Sequence, residues 1–265
     1  MNKNSPIGIF DSGVGGLSVA REIFKQLPGE DIIYFGDTAH VPYGEKTVEQ
    51  LISYGDQITQ FLIEKGAKVI VVACNTSSAV SLSHLLNKFN ISIIDVISPS
   101  IDIAIQATQN NKIGIIGTVA TINSGMHKKL LVAKKPDLEV YPVACPKFVP
   151  LVEKGDVAGE EARQAAYEYL MPLKEKGVDS LILGCTHYPF LEKVIKEVLG
   201  DAVQIIDPAL ETVLLTKKIL KEQNLLNEQE QGKKVFYVSG NPDSFLITGE
   251  KFLGDTLQNV KKVTL

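Results

Sequence analysis

The stretch VIVVACNT, residues 69–76, recurs in altered form as SLILGCTH, residues 180–187, and this recurrence decides the fold. In both copies a short apolar run ends in a cysteine that polar residues follow. Unbroken apolarity is typical of strands that are buried on both faces of a parallel sheet. The polar residues after each run are typical of the start of a helix. Each copy therefore predicts a strand that ends in a cysteine and leads into a helix.

Two further pairs of segments repeat in the same order. Residues 7–12, IGIFDS, resemble residues 113–118, IGIIGT, and residues 92–96, SIIDV, resemble residues 204–208, QIIDP. From hydroxyl residue to cysteine the spacing is 62 residues in the first copy and 67 in the second. From cysteine to aspartate it is 21 and 22 residues. Three matches at nearly equal spacing predict two homologous halves, each with a hydroxyl residue and a cysteine at strand ends.

Short apolar runs alternate with longer amphipathic stretches along the whole chain. The predicted strands are residues 7–10, 32–35, 69–72, 91–94, 113–116, 138–143, 180–183, 203–206 and 234–238. The clearest predicted helices are residues 48–65, 77–89, 160–176 and 208–223. This alternation predicts an α/β fold of two pseudo-symmetric domains with mainly parallel sheets. Ligands bind at the carboxyl ends of such strands, so we expect the active site in the cleft between the domains.

The repeat also predicts where the chain passes between the two domains. The second copy begins after Asp95 and ends near Asp207. We therefore expect a first domain of residues 1–97 plus 208–265 and a second domain of residues 98–207. Asp95 and Asp207 are expected to cap the helices that make the two crossings.

Composition limits the classes of partner. The net charge of −4 argues against nucleic acid or an anionic membrane as the main partner. No segment approaches the about 20 apolar residues of a membrane span, and no signal-peptide pattern is visible. We therefore expect a cytoplasmic protein with reduced thiols. Cys145 has no counterpart in the repeat and is expected to be a small buried hydrophobe.

Paired thiols on opposite walls of a cleft suit the inversion of a stereocentre. One group removes a proton from one face of the α-carbon, and a second delivers a proton to the other face. Cys74 and Cys185 are placed for these roles, and helix starts beside them favour thiolate and bind carboxylates. Asp11 and His187 are suitable acid–base partners. The glycine-rich loop at residues 11–16 can approach an anion, but its pattern is not that of a nucleotide site.

Other functions stay open at this point. A racemase or epimerase of a related acid such as aspartate would have the same two thiols. An amidase or lyase would need only one thiol, and a small-molecule binding module would need neither. His187 and Cys185 could be zinc ligands, but the other histidines lack ligand spacing, so we expect no metal.

Four segments resemble the signature segments of bacterial glutamate racemases, in the aspartate/glutamate racemase family. They are residues 11–17, 36–44, 73–79 and 184–189. The resemblance covers essentially the whole chain in order. It implies interconversion of L- and D-glutamate without a cofactor or metal, to supply D-glutamate for peptidoglycan. It also implies a homodimer, without defining an interface.

The resemblance implies roles for individual residues. Cys185, assisted by His187 and Glu153, would take the proton from L-glutamate, and Cys74, assisted by Asp11, would take it from D-glutamate. Asp37 is carried over as a further acidic residue near the site. The residues expected to hold the substrate are Ser12, Tyr43, Gly44, Asn75, Thr76, Thr118 and Thr186.

Overall fold

In the computed structural model, which describes residues 2–265, ten strands form two entirely parallel sheets. The strands are β1 (Ile7–Asp11), β2 (Ile32–Gly36), β3 (Val69–Val72), β4 (Ser92–Asp95), β5 (Lys112–Gly117), β6 (Glu139–Ala144), β7 (Ser180–Gly184), β8 (Gln204–Ile206), β9 (Lys234–Val238) and β10 (Val260–Lys262). All nine predicted strands are present, with bounds that differ by at most one residue at either end.

Helices cover both faces of the sheets. They are α1 (Leu17–Gln26), α2 (Val48–Glu64), α3 (Asn75–Val80), α4 (Leu82–Lys88), α5 (Ile97–Ala107), α6 (Val119–Ser124), α7 (Met126–Lys134), α8 (Phe148–Lys154), α9 (Glu160–Lys176), α10 (Glu192–Leu199), α11 (Ala209–Glu222) and α12 (Pro242–Leu253). Two short 3₁₀ helices, Tyr43–Glu45 and Tyr188–Leu191, follow β2 and β7. In the described part of the chain, no helix has the length and apolarity needed to cross a membrane.

The order of the strands confirms the internal repeat. The larger sheet runs β10-β9-β2-β1-β3-β4 and the smaller runs β6-β5-β7-β8, so the order β2-β1-β3-β4 recurs in the second half. Strand β1 and its equivalent in the second half, β5, end in the same way. The Asp37 N–H donates to the Asp11 carbonyl at 2.9 Å, and the Cys145 N–H donates to the Gly117 carbonyl at 2.9 Å. Cys145 therefore occupies the position of Asp37, and the expectation that it has no counterpart is wrong.

Two crossings join the halves, and each begins at an aspartate. The Asp95 carboxylate accepts hydrogen bonds from the N–H groups of Ile97 and Ser98, at 2.8 and 2.7 Å, where α5 begins. The Asp207 carboxylate accepts one from the Ala209 N–H at 3.0 Å, where α11 begins. These bonds satisfy N–H groups that have no partner within the helix, so the predicted capping role is confirmed. The exact domain boundaries stay a prediction.

The structure departs from the sequence-based expectations at two elements. The predicted helix 77–89 is two helices, because the chain breaks at Ser81, whose buried hydroxyl donates to the Leu51 carbonyl at 2.9 Å. Strand β10 was not predicted, since its three residues, VKK, lie at the edge of the sheet and are largely exposed. Lysine on an edge strand is common because it discourages pairing with other chains.

Candidate active site

The carboxyl ends of the central strands from both sheets face one cavity. Its wall contains all the residues predicted to hold the substrate, namely Ser12, Tyr43, Gly44, Asn75, Thr76, Thr118 and Thr186. Cys74, Cys185 and His187 also line it. The three predicted carboxylates, Asp11, Glu153 and Asp37, stand behind this wall. The cavity therefore presents three cysteines, Cys74, Cys185 and Cys145, and several hydroxyl groups, while these three carboxylates are set back.

Cys74 lies at the end of β3, at the N-cap position of α3, with 3% of its surface exposed. Its side chain packs in a small apolar cluster with Tyr43 and Leu51. Burial, reinforced by the nearby charge of Asp11, raises the pKa of the Cys74 thiol to about 12. Cys74 is therefore a protonated thiol at neutral pH, able to donate a proton.

Asp11 ends β1 and is completely buried. Its Oδ2 accepts hydrogen bonds from the N–H groups of Gly13 and Gly16, both at 3.0 Å. Its Oδ1 accepts one from the Thr186 hydroxyl at 3.2 Å, which joins the two halves. Burial raises the pKa of Asp11, although the charge of His187 and these hydrogen bonds oppose the shift. A carboxyl with a raised pKa can exchange a proton with a neighbouring thiol more readily than an ordinary aspartate.

Cys185 lies at the end of β7 and has an imidazole as its neighbour. The His187 Nδ1 lies 3.8 Å from the Cys185 Sγ, and the Nε2–H donates to the Glu153 carboxylate at 2.7 Å. Burial alone would lower the pKa of His187, but the hydrogen bonds and charges of Cys185 and Glu153 outweigh it and raise that pKa well above its usual value. A protonated imidazole beside a thiol favours the thiolate. Helix α8 supplies Glu153, which orients the ring.

Asp37 follows β2 and has 3% of its surface exposed. Its carboxylate accepts hydrogen bonds from the Tyr43 hydroxyl at 2.5 Å and the Ser239 hydroxyl at 2.6 Å, and it contacts the His40 Nδ1 at 2.9 Å. Asp37 is thus tied to the residues around it, and Tyr43 alone of these lines the cavity. Its predicted part in catalysis stays a prediction.

Each cysteine loop meets the other half of the molecule. The hydroxyls of Thr76, Thr118 and Thr121 form a closed triangle with sides of 3.0, 3.1 and 2.9 Å beside Cys74. On the other side, a Cβ added to Gly15 would lie 2.5 Å from atoms of both Thr186 and His187, so the chain needs glycine there. The two halves are therefore in close contact on both sides of the cavity.

Asn75 is the most suitable group for a polar ligand. It has 3% of its surface exposed and lines the cavity, and its Oδ1 has no hydrogen-bond partner among residues 2–265. A buried amide without a partner is costly, and a ligand with an ammonium group would satisfy the oxygen. No group of three or more metal-ligating side chains occurs in the described part of the chain.

Six lining residues were not predicted as site residues. They are Pro42, Glu45, Val119, Cys145, Pro146 and Val149. The position of Cys145 could have been found by aligning the second strands of the two halves, because the residue after each strand faces the same edge. The others carry no chemical group that marks them in the sequence as part of a site, apart from the exposed Glu45.

Comparison with known proteins agrees with this geometry. Residues 7–216 match the model of a family described as Asp/Glu/Hydantoin racemase. The chain therefore belongs to the Asp/Glu/hydantoin racemase family.

Individual relatives place it more closely within that family. A glutamate racemase of Geobacter metallireducens is 46% identical over 260 residues, covering 98% of this chain and 96% of the relative. The crystal structure of a glutamate racemase isoform from Bacillus anthracis superposes with a TM-score of 0.95 at 42% identity, covering 100% of this chain and 99% of the other. A glutamate racemase from Francisella tularensis, solved in complex with D-glutamate, superposes with a TM-score of 0.93 at 38% identity. The match covers 99% of this chain and 98% of the other.

Proposed function

We propose that this chain is a glutamate racemase that interconverts L- and D-glutamate with two cysteines and no cofactor. One observation carries the proposal: Cys74 and Cys185 end equivalent strands of two repeated halves and line one cavity between them. Full-length similarity to glutamate racemases supports the reaction, and the complex of the Francisella tularensis relative with D-glutamate supports the substrate.

From L-glutamate, the Cys185 thiolate removes the α-proton and becomes a thiol. The positive charge of His187 favours this thiolate, and Glu153 holds the imidazole in place. Cys74, which stays protonated because its pKa is about 12, gives its proton to the opposite face of the α-carbon. The electron pair left on carbon forms the new C–H bond, and Cys74 ends as a thiolate.

From D-glutamate the roles are exchanged. Cys74 must first lose its proton, and Asp11 is the acid–base group whose charge acts on it. The raised pKa of Asp11 suits a carboxyl that accepts this proton. The same two thiols thus serve both directions, each with its own partner.

Polar groups of the cavity suit a zwitterion. The amide of Asn75 can accept from the ammonium group, and the hydroxyls of Ser12, Thr76 and Thr118 can donate to carboxylates. Selectivity for glutamate over aspartate rests on the relatives, because one methylene changes binding by only ~1–3 kcal/mol. We further propose that the reaction supplies D-glutamate for peptidoglycan in the cytoplasm. The predicted dimer stays a prediction.

Circular dichroism tests this proposal directly. The purified protein is incubated with L-glutamate and a chelator, without added cofactor, and in parallel with L-aspartate. Decay of the glutamate signal to zero, with a much slower change for aspartate, is the expected result. Decay with aspartate alone would keep the two-thiol mechanism and change the substrate. A stable signal with every amino acid tried would favour the binding-module alternative.

A further inference from the structure

The segment that returns to the larger sheet after the second half places Ser239 beside the active site. Strand β9 pairs with β2, and the Ser239 N–H donates to the Gly36 carbonyl at 3.2 Å just beyond this pairing. The Ser239 hydroxyl donates to the Asp37 Oδ1 at 2.6 Å and accepts from the Ala39 N–H at 2.9 Å. Ser239 is therefore bonded both to Asp37 and to the loop that follows it.

Three donors converge on the carboxylate of Asp37. They are the hydroxyls of Ser239 and Tyr43 and the Nδ1–H of His40. An ionised carboxylate only accepts hydrogen bonds, so it can satisfy all three, whereas an asparagine would turn a donor NH₂ group toward one of them. A residue at position 37 must therefore accept all three hydrogen bonds, and these bonds hold the Asp37 side chain behind the cavity wall.

Tyr43 links Asp37 to Cys74. Its hydroxyl is bonded to Asp37, and its ring, 2% exposed, packs with Leu51 and Cys74 and lines the cavity. The ring also stacks on Tyr54 with centroids 5.7 Å apart. A ring held at both its hydroxyl and its face keeps the wall beside the Cys74 thiol in one position.

The second half has a tyrosine in a related place, but its anchor is different. Tyr188 is fully buried in the cluster that contains Cys185, and its hydroxyl donates to the Cys145 carbonyl at 3.0 Å. Cys145 is the residue equivalent to Asp37. The tyrosine beside Cys185 is thus anchored to a main-chain carbonyl, and the tyrosine beside Cys74 to a side chain. A substitution at the anchoring residue can therefore remove the acceptor only beside Cys74.

We propose that Ser239 is a positioning residue for the reaction: it fixes Asp37, which holds Tyr43 against Cys74. Ser239 contacts neither the thiol nor the cavity. Its effect reaches the chemistry through Tyr43, and so mainly through the proton transfer at Cys74, which is the first step from D-glutamate and the second from L-glutamate. This inference rests on the two-thiol function proposed above.

Primary isotope effects separate a role at Cys74 from general damage. The Ser239→Ala variant is assayed with α-deuterated D-glutamate and with α-deuterated L-glutamate. If proton transfer at Cys74 is slower, breakage of the C–H bond of D-glutamate limits the rate more strongly. Breakage of the C–H bond of L-glutamate, which Cys185 carries out, then limits the rate less strongly. We expect turnover to fall roughly three- to tenfold, the usual worth of one hydrogen bond. We also expect the ratio of isotope effects, D over L, to rise above that of the parent protein.

Matched variants complete the test. Ser244→Ala, an exposed serine on α12, should leave both turnover and the ratio unchanged. Ser239→Thr keeps the hydroxyl and should restore the parent ratio. Should Ser239→Ala fail to fold, Tyr43→Phe removes the hydroxyl at the other end of the chain of bonds and should move the ratio in the same direction.

Two results would overturn the inference: an unchanged ratio in a slower Ser239→Ala variant, or a ratio that falls. Either would make Ser239 a structural residue, or one that acts on the Cys185 side. Failure of the proposed function looks different, because either the parent protein would not racemise glutamate or Cys74→Ala would racemise it normally.

Discussion

Cys74 and Cys185 occupy equivalent places in two repeated halves, but their surroundings have opposite character. Cys74 lies in an apolar cluster near the carboxyl group of Asp11, and its pKa is raised to about 12. Cys185 has the His187 imidazole 3.8 Å away, and Glu153 holds that ring at 2.7 Å. The backbone is repeated, while the electrostatics are not.

This difference lets a nearly symmetric site give its two thiols different roles. A two-base racemase needs one thiolate and one thiol at a time. An imidazolium neighbour favours the thiolate and a carboxylate neighbour favours the thiol. On the proposed mechanism, these neighbours suit Cys185 to act as the base and Cys74 as the acid toward L-glutamate. After one turnover to D-glutamate, protons must move before the next.

Removal of either thiol should have the largest effect. We predict that Cys74→Ala and Cys185→Ala each lower turnover by roughly 10²–10⁴-fold in both directions, because each loses one of the two proton-transfer groups. Turnover measured by circular dichroism checks this. Cys145→Ala, the matched control, should lose at most about tenfold, since Cys145 lines the cavity but has no assigned proton transfer. Near-normal turnover in either of the first two variants would show that one thiol suffices.

Changes to the two partners should distinguish the halves. We predict that Asp11→Asn slows the Cys74 step and Glu153→Gln slows the Cys185 step, each by roughly tenfold to 10²-fold. The isotope effect with α-deuterated D-glutamate should rise in the first variant, and that with α-deuterated L-glutamate should rise in the second. Shifts in the same direction for both variants would mean that the partners do not belong to separate thiols.

The raised pKa of Cys74 should have a smaller effect than the changes above, and this effect should appear in the pH dependence of the free energy of unfolding. The folded protein keeps a proton on Cys74 that the unfolded chain loses above pH 9.0, the ordinary thiol value, up to about 12. The unfolded state binds fewer protons in this window, so the free energy of unfolding falls as pH rises. We predict that the free energy of unfolding, measured with denaturant, falls more steeply with pH in the parent protein than in Cys74→Ala. Over the whole pH window the difference should reach up to about 4 kcal/mol. Equal slopes would show that Cys74 titrates normally.

Much of the fold could be predicted from the sequence because the central strands are buried on both faces. Strands β1, β3 and β7 are fully buried and read as unbroken apolar runs, and their repetition marks the two cysteines. The equivalence of Cys145 and Asp37 was missed because β6 is an edge strand with exposed residues, so it does not resemble the buried β2.

The contacts around the site were less predictable than its members. Asp11 and Thr186 form a hydrogen bond although they are 175 residues apart in sequence and belong to different halves. Thr76 and Thr118, which also form a hydrogen bond, likewise belong to different halves. Ser239 lies 202 residues from Asp37 and follows a strand with no counterpart in the repeat. Such contacts depend on how the halves and the returning segment pack, which local sequence does not encode.

The central claim is that two groups act on opposite faces of the α-carbon, and hydrogen exchange tests it most directly. The protein is incubated with L-glutamate in D₂O, and both isomers are recovered after a small fraction has reacted. We predict that the D-glutamate formed carries deuterium at the α-carbon while the remaining L-glutamate does not, because the acid that completes the inversion is not the base that began it. Product that retains the substrate's own hydrogen, or deuterium appearing equally in both isomers, would contradict the two-thiol mechanism.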